Sequence, residues 1–308
     1  MIGQVVEVVE ADRHLSLEYG NMVVSAGNVV IGRVALDSIQ AVIVNPHGAT
    51  LSAGVLAALA ERGVAVTIAG KNFRPAAMVL PVEGHHAIAQ RISAQVGASL
   101  PSQKQAWKQI VRSKITMQAL ALEHFGGDAE RLWLLEGNVR SGDPDNAEAQ
   151  AARFYWPQLL GTKFRRDRDQ PGLNSLLNYG YAVIRASTAR AITSAGLHPA
   201  IGIHHQGAHD TMRLADDLME PFRPLVDVRV RAIAEAEESL DVTPRAKKML
   251  VAILSTDVPT DAGTSPVSVA VLRSARSLAD YFLGERPRLE LPSIDYRPAM
   301  ASMAEAYV

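Results

Sequence analysis

Cysteine is absent from the 308-residue sequence, so disulfide bridges and thiolate-bound zinc are excluded. This absence fits a reducing compartment, and we expect a cytoplasmic protein. No segment reaches the roughly 18 consecutive apolar residues that a membrane-spanning helix needs, and the first residues lack the pattern of a secretion signal. We therefore expect no membrane partner, and any bound metal would use histidine and carboxylate ligands.

Charged residues make up only 20% of the sequence and nearly balance, with a formal net charge of −1. A balanced total neither indicates nor excludes a polyanionic partner, because it can conceal a basic groove. The Walker A, GxGxxG and GxSxG motifs are missing, which argues against P-loop enzymes, dinucleotide-binding enzymes and α/β-hydrolases. The hydrophobic content of 48% and the length are those of a soluble globular protein with room for two domains.

The hydrophobic period changes near Gly84. Before it, short segments rich in Val and Ile alternate with turn residues, which predicts strands interrupted by one helix that begins at Ser52 and ends at Gly63. The predicted strand segments are VVEVVE, LSLEY, NMVVS, NVVIG, AVIVN and VAVTIAG. Beyond Gly84 the period is 3.6, which predicts helices at about 86–97, 102–125, 128–137, 145–160, 173–195, 208–222, 225–239, 243–254 and 266–283.

These patterns predict an α+β multidomain fold. A β-rich N-terminal domain would cover residues 1–84, and a larger all-α domain would cover residues 85–308. The tail from Glu285 contains Pro287, Pro292 and Pro298, and is predicted to be irregular.

The segment PAIGIHHQGAHDTMRLADDLMEPFRP has the composition of a metal site. His204 and His205 precede a helical pattern on which Asp217 and Glu220, three residues apart, share one face. Neighbouring carboxylates suit Mg²⁺ or Mn²⁺, and imidazole is better tolerated by Mn²⁺. The alternative is that these acids, with Asp216, form an ordinary solvated helix face and that the histidines are a turn and a core residue.

Glu148 lies in the first turn of another predicted helix. Asp145 as N-cap with Glu148 three residues later imitates a capping box, so the acid has a structural explanation beside a chemical one. The aromatic residues that follow Arg153 are interpreted as core packing or as a nucleic-acid stacking surface.

Four cations follow almost at once, and either contact phosphates or form a solvated loop. They are Lys163, Arg165, Arg166 and Arg168. Asn174 and Asn178 then lie one turn apart, with Arg185 further along, on a face that could orient a ligand. Helix capping by Asn174 is the alternative explanation.

Three stretches, EAQAARFYW, LNSLLNYGYAVIRA and IGIHHQGAHDTMRLADDLMEPFRP, resemble the CRISPR-associated integrase of spacer acquisition, the universal first Cas protein, in its type II-like branch. The resemblance implies a small β domain before a larger helical domain. It also implies that Glu148, His205 and Glu220 bind Mg²⁺ or Mn²⁺, with Asp217 as a further acidic position and His204 as an alternative to His205.

The resemblance further implies that a DNA 3′-hydroxyl attacks the CRISPR array by transesterification. The implied partners are double-stranded DNA, a second copy of the chain, the small second Cas protein and the RNA-guided effector nuclease. The implied phosphate-binding residues are Arg153, Lys163, Arg165, Arg166, Arg168 and Arg185, with Asn174 and Asn178 as site support. A stand-alone nuclease for branched DNA and a non-catalytic DNA-binding scaffold remain alternatives.

Overall fold

The structure is a computed structural model, and it describes residues 4–8, 10–44, 48–69, 75–79, 87–205, 211–236, 239–260 and 263–304. The domain boundary predicted at Gly84 lies outside these residues. None of the helices in the described ranges combines the length and apolarity that crossing a membrane requires.

The N-terminal part is β-rich, as predicted, because each Val- and Ile-rich segment forms a strand. The strands are β1 Gln4–Val8, β2 Arg13–Glu18, β3 Asn21–Ala26, β4 Val29–Ala35, β5 Ile39–Val44, β6 Thr50–Leu51, β7 Ala65–Ala69 and β8 Pro75–Val79. They form two four-stranded sheets, ordered β1-β5-β7-β8 and β4-β3-β2-β6. The first sheet is parallel except for β8, which pairs antiparallel with β7.

Helix α1, Ala53–Glu61, lies between β6 and β7 and has the predicted ends. The Ser52 side chain accepts a hydrogen bond from the Val55 amide, 3.3 Å away. Gly63 adopts φ +66°, a left-handed conformation that favours glycine after a helix. The core of this part includes Leu15, Val42 and Leu59, all buried.

The C-terminal part is mostly helical. Its helices are α2 Ile88–Val96, α3 Leu100–His124, α4 Glu130–Asn138, α5 Ala147–Leu160, α6 Leu173–Ser194, α7 Arg213–Met219, α8 Arg223–Ala236, α9 Pro244–Val251, α10 Val267–Phe282 and α11 Arg297–Ala304. Short 3-10 turns cover Glu220–Phe222, Ala252–Ser255 and Ile294–Tyr296. Helix α3 is central, because it contacts α4, α5, α8 and the Glu220–Phe222 turn.

Two details of this part differ from the sequence prediction. The all-α prediction misses an antiparallel hairpin of β9 Asp257–Thr260 and β10 Gly263–Pro266. The tail is not wholly irregular, because α11 buries Met300 and Met303 completely in the core. Pro298 is compatible with α11 because it occupies the second helical position, where no intrahelical N–H bond is lost.

Polar contacts join the first sheet to the helices. The Tyr179 hydroxyl on α6 donates to Glu7 Oε2 over 2.6 Å, and Lys247 Nζ on α9 donates to Glu7 Oε1 over 2.8 Å. Arg190 Nε donates to the carbonyl oxygen of Gly63 over 2.8 Å. The two parts are therefore packed against each other through α6.

Candidate functional site

Lys114 on α3 joins two of the three predicted metal ligands. Its Nζ lies 2.6 Å from Glu148 Oε1 and 2.5 Å from Glu220 Oε2. The Lys114 side chain is 12% exposed and that of Glu220 only 4%, so the contacts are shielded from water. Sequence reasoning missed Lys114, although a signal exists. It stands two turns after the buried Trp107, so a charged residue lies on the apolar face of α3.

The start of α5 directs Glu148 inward. Asn146, with φ 54°, is the N-cap, and its side chain accepts from the Ala149 amide. The Asp143 carboxylate accepts from the amides of Ala147 and Glu148, at 2.7 and 3.1 Å. The predicted cap at Asp145 is therefore wrong. Asparagine tolerates the left-handed conformation that this turn requires, and supplies the cap instead.

Asp145 pairs instead with the exposed Arg140, whose Nη2 lies 2.5 Å from Oδ1. Asp143 and Asn146, and not Asp145, therefore cap the first turn of α5. The predicted position of Glu148 in the first turn is correct.

Glu220 begins the 3-10 turn that follows α7. Burial alone would raise the pKa of its carboxyl group, but the positive charges of Arg223 and then Lys114 hold that pKa below its usual value. Arg223 Nη2 lies 3.0 Å from Oε1. The buried Oε2 lies 2.5 Å from Lys114 Nζ, and this ion pair is the contact that the described residues give it.

Asp217 organises the loop that carries the histidines. Its fully buried carboxylate accepts from the amides of Ile203, His204 and His205, at 2.6, 3.0 and 3.3 Å. It also accepts from His205 Nδ1 over 2.6 Å. A side chain at Gly202 would place its Cβ 2.8 Å from Arg213 Cβ and 2.9 Å from the His205 carbonyl oxygen, so the loop requires glycine there. Because its carboxylate already accepts these four hydrogen bonds, Asp217 is a residue that positions the histidine loop.

The two histidines have different environments. The ring of His204 stacks on Trp107, with centroids 4.3 Å apart and planes at 3°. The His205 side chain is 43% exposed. Its hydrogen bond to Asp217 raises its pKa, and the charges of Asp217 and Glu220 add to this against the opposing effect of burial. Asp217 takes Nδ1, so Nε2 is the nitrogen that His205 can offer to a ligand, an arrangement typical of metal-binding histidines.

No ready-made cluster of three His, Asp or Glu metal ligands stands within the described ranges. The ammonium of Lys114 contacts the carboxylates of both Glu148 and Glu220. Two carboxylates and one oriented imidazole suit Mn²⁺, and the carboxylates suit Mg²⁺. The chemistry of this donor set, two carboxylates that already hold a cation between them and an imidazole, fits a divalent cation.

Asn174 and Asn178 hold the basic loop. Arg166 donates from Nη1 to Asn174 Oδ1 over 2.8 Å and from Nη2 to Asn178 Oδ1 over 2.7 Å. The asparagine amides in turn donate to the carbonyl oxygens of Arg165 and Arg168. Asn174 lies inside α6, whose N-cap is Gly172, so the capping interpretation is wrong. In this structure both asparagines orient the loop, and neither contacts the candidate metal ligands.

The predicted phosphate-binding cations fall into two groups. Lys163, Arg165 and Arg168 are exposed, as is Arg153 on the outer side of α5. Arg153 lines a cleft of about 710 Å³ together with Arg131 and Phe154. In contrast, Arg166 is bound to the two asparagines, and Arg185 forms a bidentate pair with Asp216, at 2.7 and 2.5 Å. The exposed group therefore lies at the surface, although Arg165 Nη1 also donates to the carbonyl oxygens of Thr162 and Phe164.

A buried acid, Asp227 on α8, lies behind the site. It accepts from the Tyr155 hydroxyl over 3.0 Å and from the Tyr181 hydroxyl. Burial raises the pKa of Asp227 to about 7. The guanidinium carbons of Arg223 and Arg166 lie 4.8 and 5.4 Å from the centre of the Tyr181 ring. This cluster links the Glu220 partner Arg223 to the basic loop, and buried Tyr155 supports the core interpretation of the aromatic segment.

Replacing Asp227 by asparagine is expected to change how stability depends on pH. The folded pKa of about 7 exceeds the ordinary value of about 3.9, so the folded protein binds this proton more tightly than the unfolded chain. The stabilisation by protonated Asp227 is complete below about pH 4 and is lost as the pH rises through 7. Urea unfolding of Asp227→Asn should therefore show a shallower loss of stability from pH 4 to 8, by a few kcal/mol overall.

The matched control for this measurement is Asp12→Asn, in an exposed turn whose left-handed conformation asparagine also tolerates. It should follow the wild-type pH curve. Equal pH slopes for the wild type and Asp227→Asn would contradict the raised pKa.

Comparison with known proteins identifies the family. The profile of the family described as CRISPR associated protein Cas1 matches residues 6–245. The CRISPR-associated endonuclease Cas1 of Neisseria meningitidis serogroup C (strain 8013) is 39% identical over 224 residues, which are 72% of this chain and 73% of that protein. This match is consistent with the type II-like branch.

Two solved structures share the fold. A casposase bound to integration product has a TM-score of 0.79 and 20% identity, over 98% of this chain and 99% of that chain. A Cas6-RT-Cas1–Cas2 complex has a TM-score of 0.73 and 18% identity, over 94% of this chain and 36% of the matched chain. These likenesses confirm the expected β-then-helical architecture. The matched profile and the Neisseria relative show that the chain belongs to the Cas1 family of CRISPR-associated proteins.

Proposed function

We propose that this chain is a metal-dependent DNA endonuclease and integrase that joins the 3′-OH ends of DNA fragments into a CRISPR array by transesterification. One observation carries the proposal: carboxylates from two separate elements, Glu148 and Glu220, converge on a single cation, Lys114, on the central helix. The oriented imidazole of His205 lies within electrostatic reach of Glu220. Membership of a family whose relatives are named endonucleases supports the same conclusion.

Glu148, His205 and Glu220 would hold Mg²⁺ or Mn²⁺. When bound, the ion would lower the pKa of the attacking hydroxyl and neutralise charge on the phosphate and leaving oxygen. Arg223 keeps Glu220 ionised and therefore able to act as a ligand. Asp217 fixes the His205 ring by accepting from Nδ1, which directs Nε2 away from the buried loop.

The exposed cations of the loop would bind DNA backbone phosphates. Replacing Lys163, Arg165 and Arg168 together by alanine is expected to weaken binding equally for unrelated sequences, because phosphate contacts carry no base information. The salt dependence should fall as well, with a slope smaller by about 0.9 for each lost contact. Fluorescence anisotropy with two unrelated duplexes at several salt concentrations measures both effects.

The control for the loop variant is Arg62→Ala, which removes an exposed cation at the end of α1 that pairs with Asp37. Its affinity and salt slope should remain those of the wild type. A loss confined to one of the two duplexes would contradict the assignment of the loop to phosphates.

The proposed partners are double-stranded DNA, a second copy of the chain, the small second Cas protein and the RNA-guided effector nuclease. The edge strand β4 supports the homodimer, because Val29, Val30 and Ile31 are 65%, 47% and 53% exposed. An apolar sheet edge of this kind favours pairing with another chain. The solved structures named for an integration product and for a Cas1–Cas2 complex support the DNA and Cas partners. Cytoplasmic location stays a prediction.

The test is a strand-transfer assay with a 3′-OH fragment, a supercoiled repeat-bearing plasmid and Mn²⁺ or Mg²⁺, with and without the second Cas protein. Glu148→Gln and His205→Ala should each lose joined product while DNA binding persists. Glu130→Gln, which changes an exposed acid in the first turn of α4, should remain active. Cleavage of branched DNA without joined product would favour the stand-alone nuclease, and full activity of both site variants would favour the scaffold.

A further inference from the structure

The ammonium of Lys114 occupies the point where the two candidate carboxylate ligands meet. Its Nζ lies 2.6 Å from Glu148 Oε1 and 2.5 Å from Glu220 Oε2. We propose that Lys114 is a tethered counter-ion that holds Glu148 and Glu220 together until a divalent metal displaces it, so that this competition sets the metal affinity. The inference rests on the proposed function, because it assumes that the two glutamates are metal ligands.

Charge and burial explain why a cation is required there. Glu220 is almost fully buried, and a second carboxylate beside it would repel it if no positive charge lay between them. Arg223 does not serve this purpose. It contacts Oε1, the other oxygen of Glu220, and its guanidinium carbon lies 4.8 Å from the centre of the Tyr181 ring. Among the described residues, Lys114 is the cation that contacts both Glu148 and Glu220.

The chemistry of lysine makes displacement feasible. Both of its contacts here are short ion pairs, at 2.6 Å to Glu148 and 2.5 Å to Glu220, so each holds the ammonium only while no stronger cation binds the carboxylates. A lysine ammonium is a point charge on a flexible four-carbon stem, so it can leave without moving α3. A metal ion bound by both carboxylates would repel the ammonium at such short range, so the two cations compete for one position.

The first experiment measures Mn²⁺ binding by isothermal titration calorimetry on chelator-treated full-length protein. Lys114→Met keeps the apolar stem and removes the charge, and is expected to bind Mn²⁺ at least tenfold more tightly than the wild type. Metal-free Lys114→Met should unfold at a lower temperature, and Mn²⁺ should raise its Tm more than that of the wild type. Lys108→Met, on the same helix without a recorded contact to either glutamate, should match the wild type. Equal or weaker Mn²⁺ binding by Lys114→Met would overturn the proposal.

The second experiment uses the wild-type protein, and so does not depend on the folding of a variant. A buried, ion-paired ammonium reacts slowly with an amine-acetylating reagent. Saturating Mg²⁺ should raise the acetylation rate of Lys114 several-fold, as followed by mass spectrometry, while the rate at Lys108 stays constant. An unchanged or lower rate at Lys114 would contradict displacement.

These measurements separate the inference from the proposed function. If the wild type binds Mn²⁺ and Glu148→Gln does not, the metal site holds, and the outcome for Lys114→Met alone decides the inference. If neither the wild type nor Lys114→Met binds Mn²⁺, the metal-dependent function and the inference fall together.

Discussion

Replacing Glu220 by alanine is expected to reduce strand transfer by at least about a thousandfold. The proposed metal would lose a ligand whose oxygens are buried and already ionised. A catalytic metal supplies several kcal/mol of charge stabilisation, and about 1.4 kcal/mol corresponds to a tenfold change in rate. Single-turnover strand transfer at saturating DNA measures the effect, with DNA affinity determined separately.

Replacing Glu220 by alanine is also expected to lower the free energy of unfolding by about 3 kcal/mol. The substitution removes the carboxylate of a buried ion pair and leaves the buried positive charges without it. Arg223 would lose its contact with Oε1, and Lys114 would keep only Glu148. The control is Glu235→Ala, whose carboxylate is 56% exposed and pairs with Arg231 one turn away on α8. Such a surface pair contributes about 0.5 kcal/mol or less. Near-normal activity of Glu220→Ala would remove Glu220 from the candidate metal site.

The candidate site shows why spacing alone could not assign the acids. Asp217 and Glu220 lie three residues apart, and a continuous helix would direct both toward one ligand. The α-helix passes directly into a 3-10 turn at Glu220, and the backbone remains helical. The two acids nevertheless have different partners, because the histidine loop lies against Asp217 and Lys114 of α3 lies against Glu220.

The sequence marks Lys114 as a charged residue on an apolar helix face, but it does not show which residues pair with it. A lysine within a long helix is ordinarily solvated, and its partners here come from α5 and from the turn after α7, both distant in sequence. The basic loop is a similar case. Four neighbouring cations were treated alike, but the two asparagines of α6 turn Arg166 inward and leave the others exposed.

The β-rich start of the chain was predictable because short segments rich in Val and Ile are separated by turn residues. The hairpin β9–β10 has no such Val- and Ile-rich segment, because its strands are DVPT and GTSP, and the sequence does not predict it. The three prolines of the tail predict irregular structure, and α11 forms in spite of Pro298. Its methionines are held by the core, which local sequence does not reveal.

Replacing Gly180 by alanine is expected to destabilise the fold by about 3 kcal/mol. Gly180 lies where α6 packs against α8, and an added Cβ would stand 2.3 Å from Val226 Cγ1 and 3.2 Å from Leu250 Cδ2. Val226 is fully buried and β-branched, so its side chain cannot rotate away without a clash elsewhere. Urea unfolding followed by circular dichroism measures the loss.

Gly137→Ala is the matched control for this substitution. Gly137 lies in α4, and nothing is within 4 Å of its added Cβ, so alanine should stabilise the helix by up to about 1 kcal/mol. The double variant Gly180→Ala, Val226→Ala should recover part of the loss, because the clashing methyl is removed. Full additivity would show that close approach at Val226 is not the cause. Because Tyr181 follows Gly180 and packs on Arg223, the partner of Glu220, we also expect Gly180→Ala to impair strand transfer.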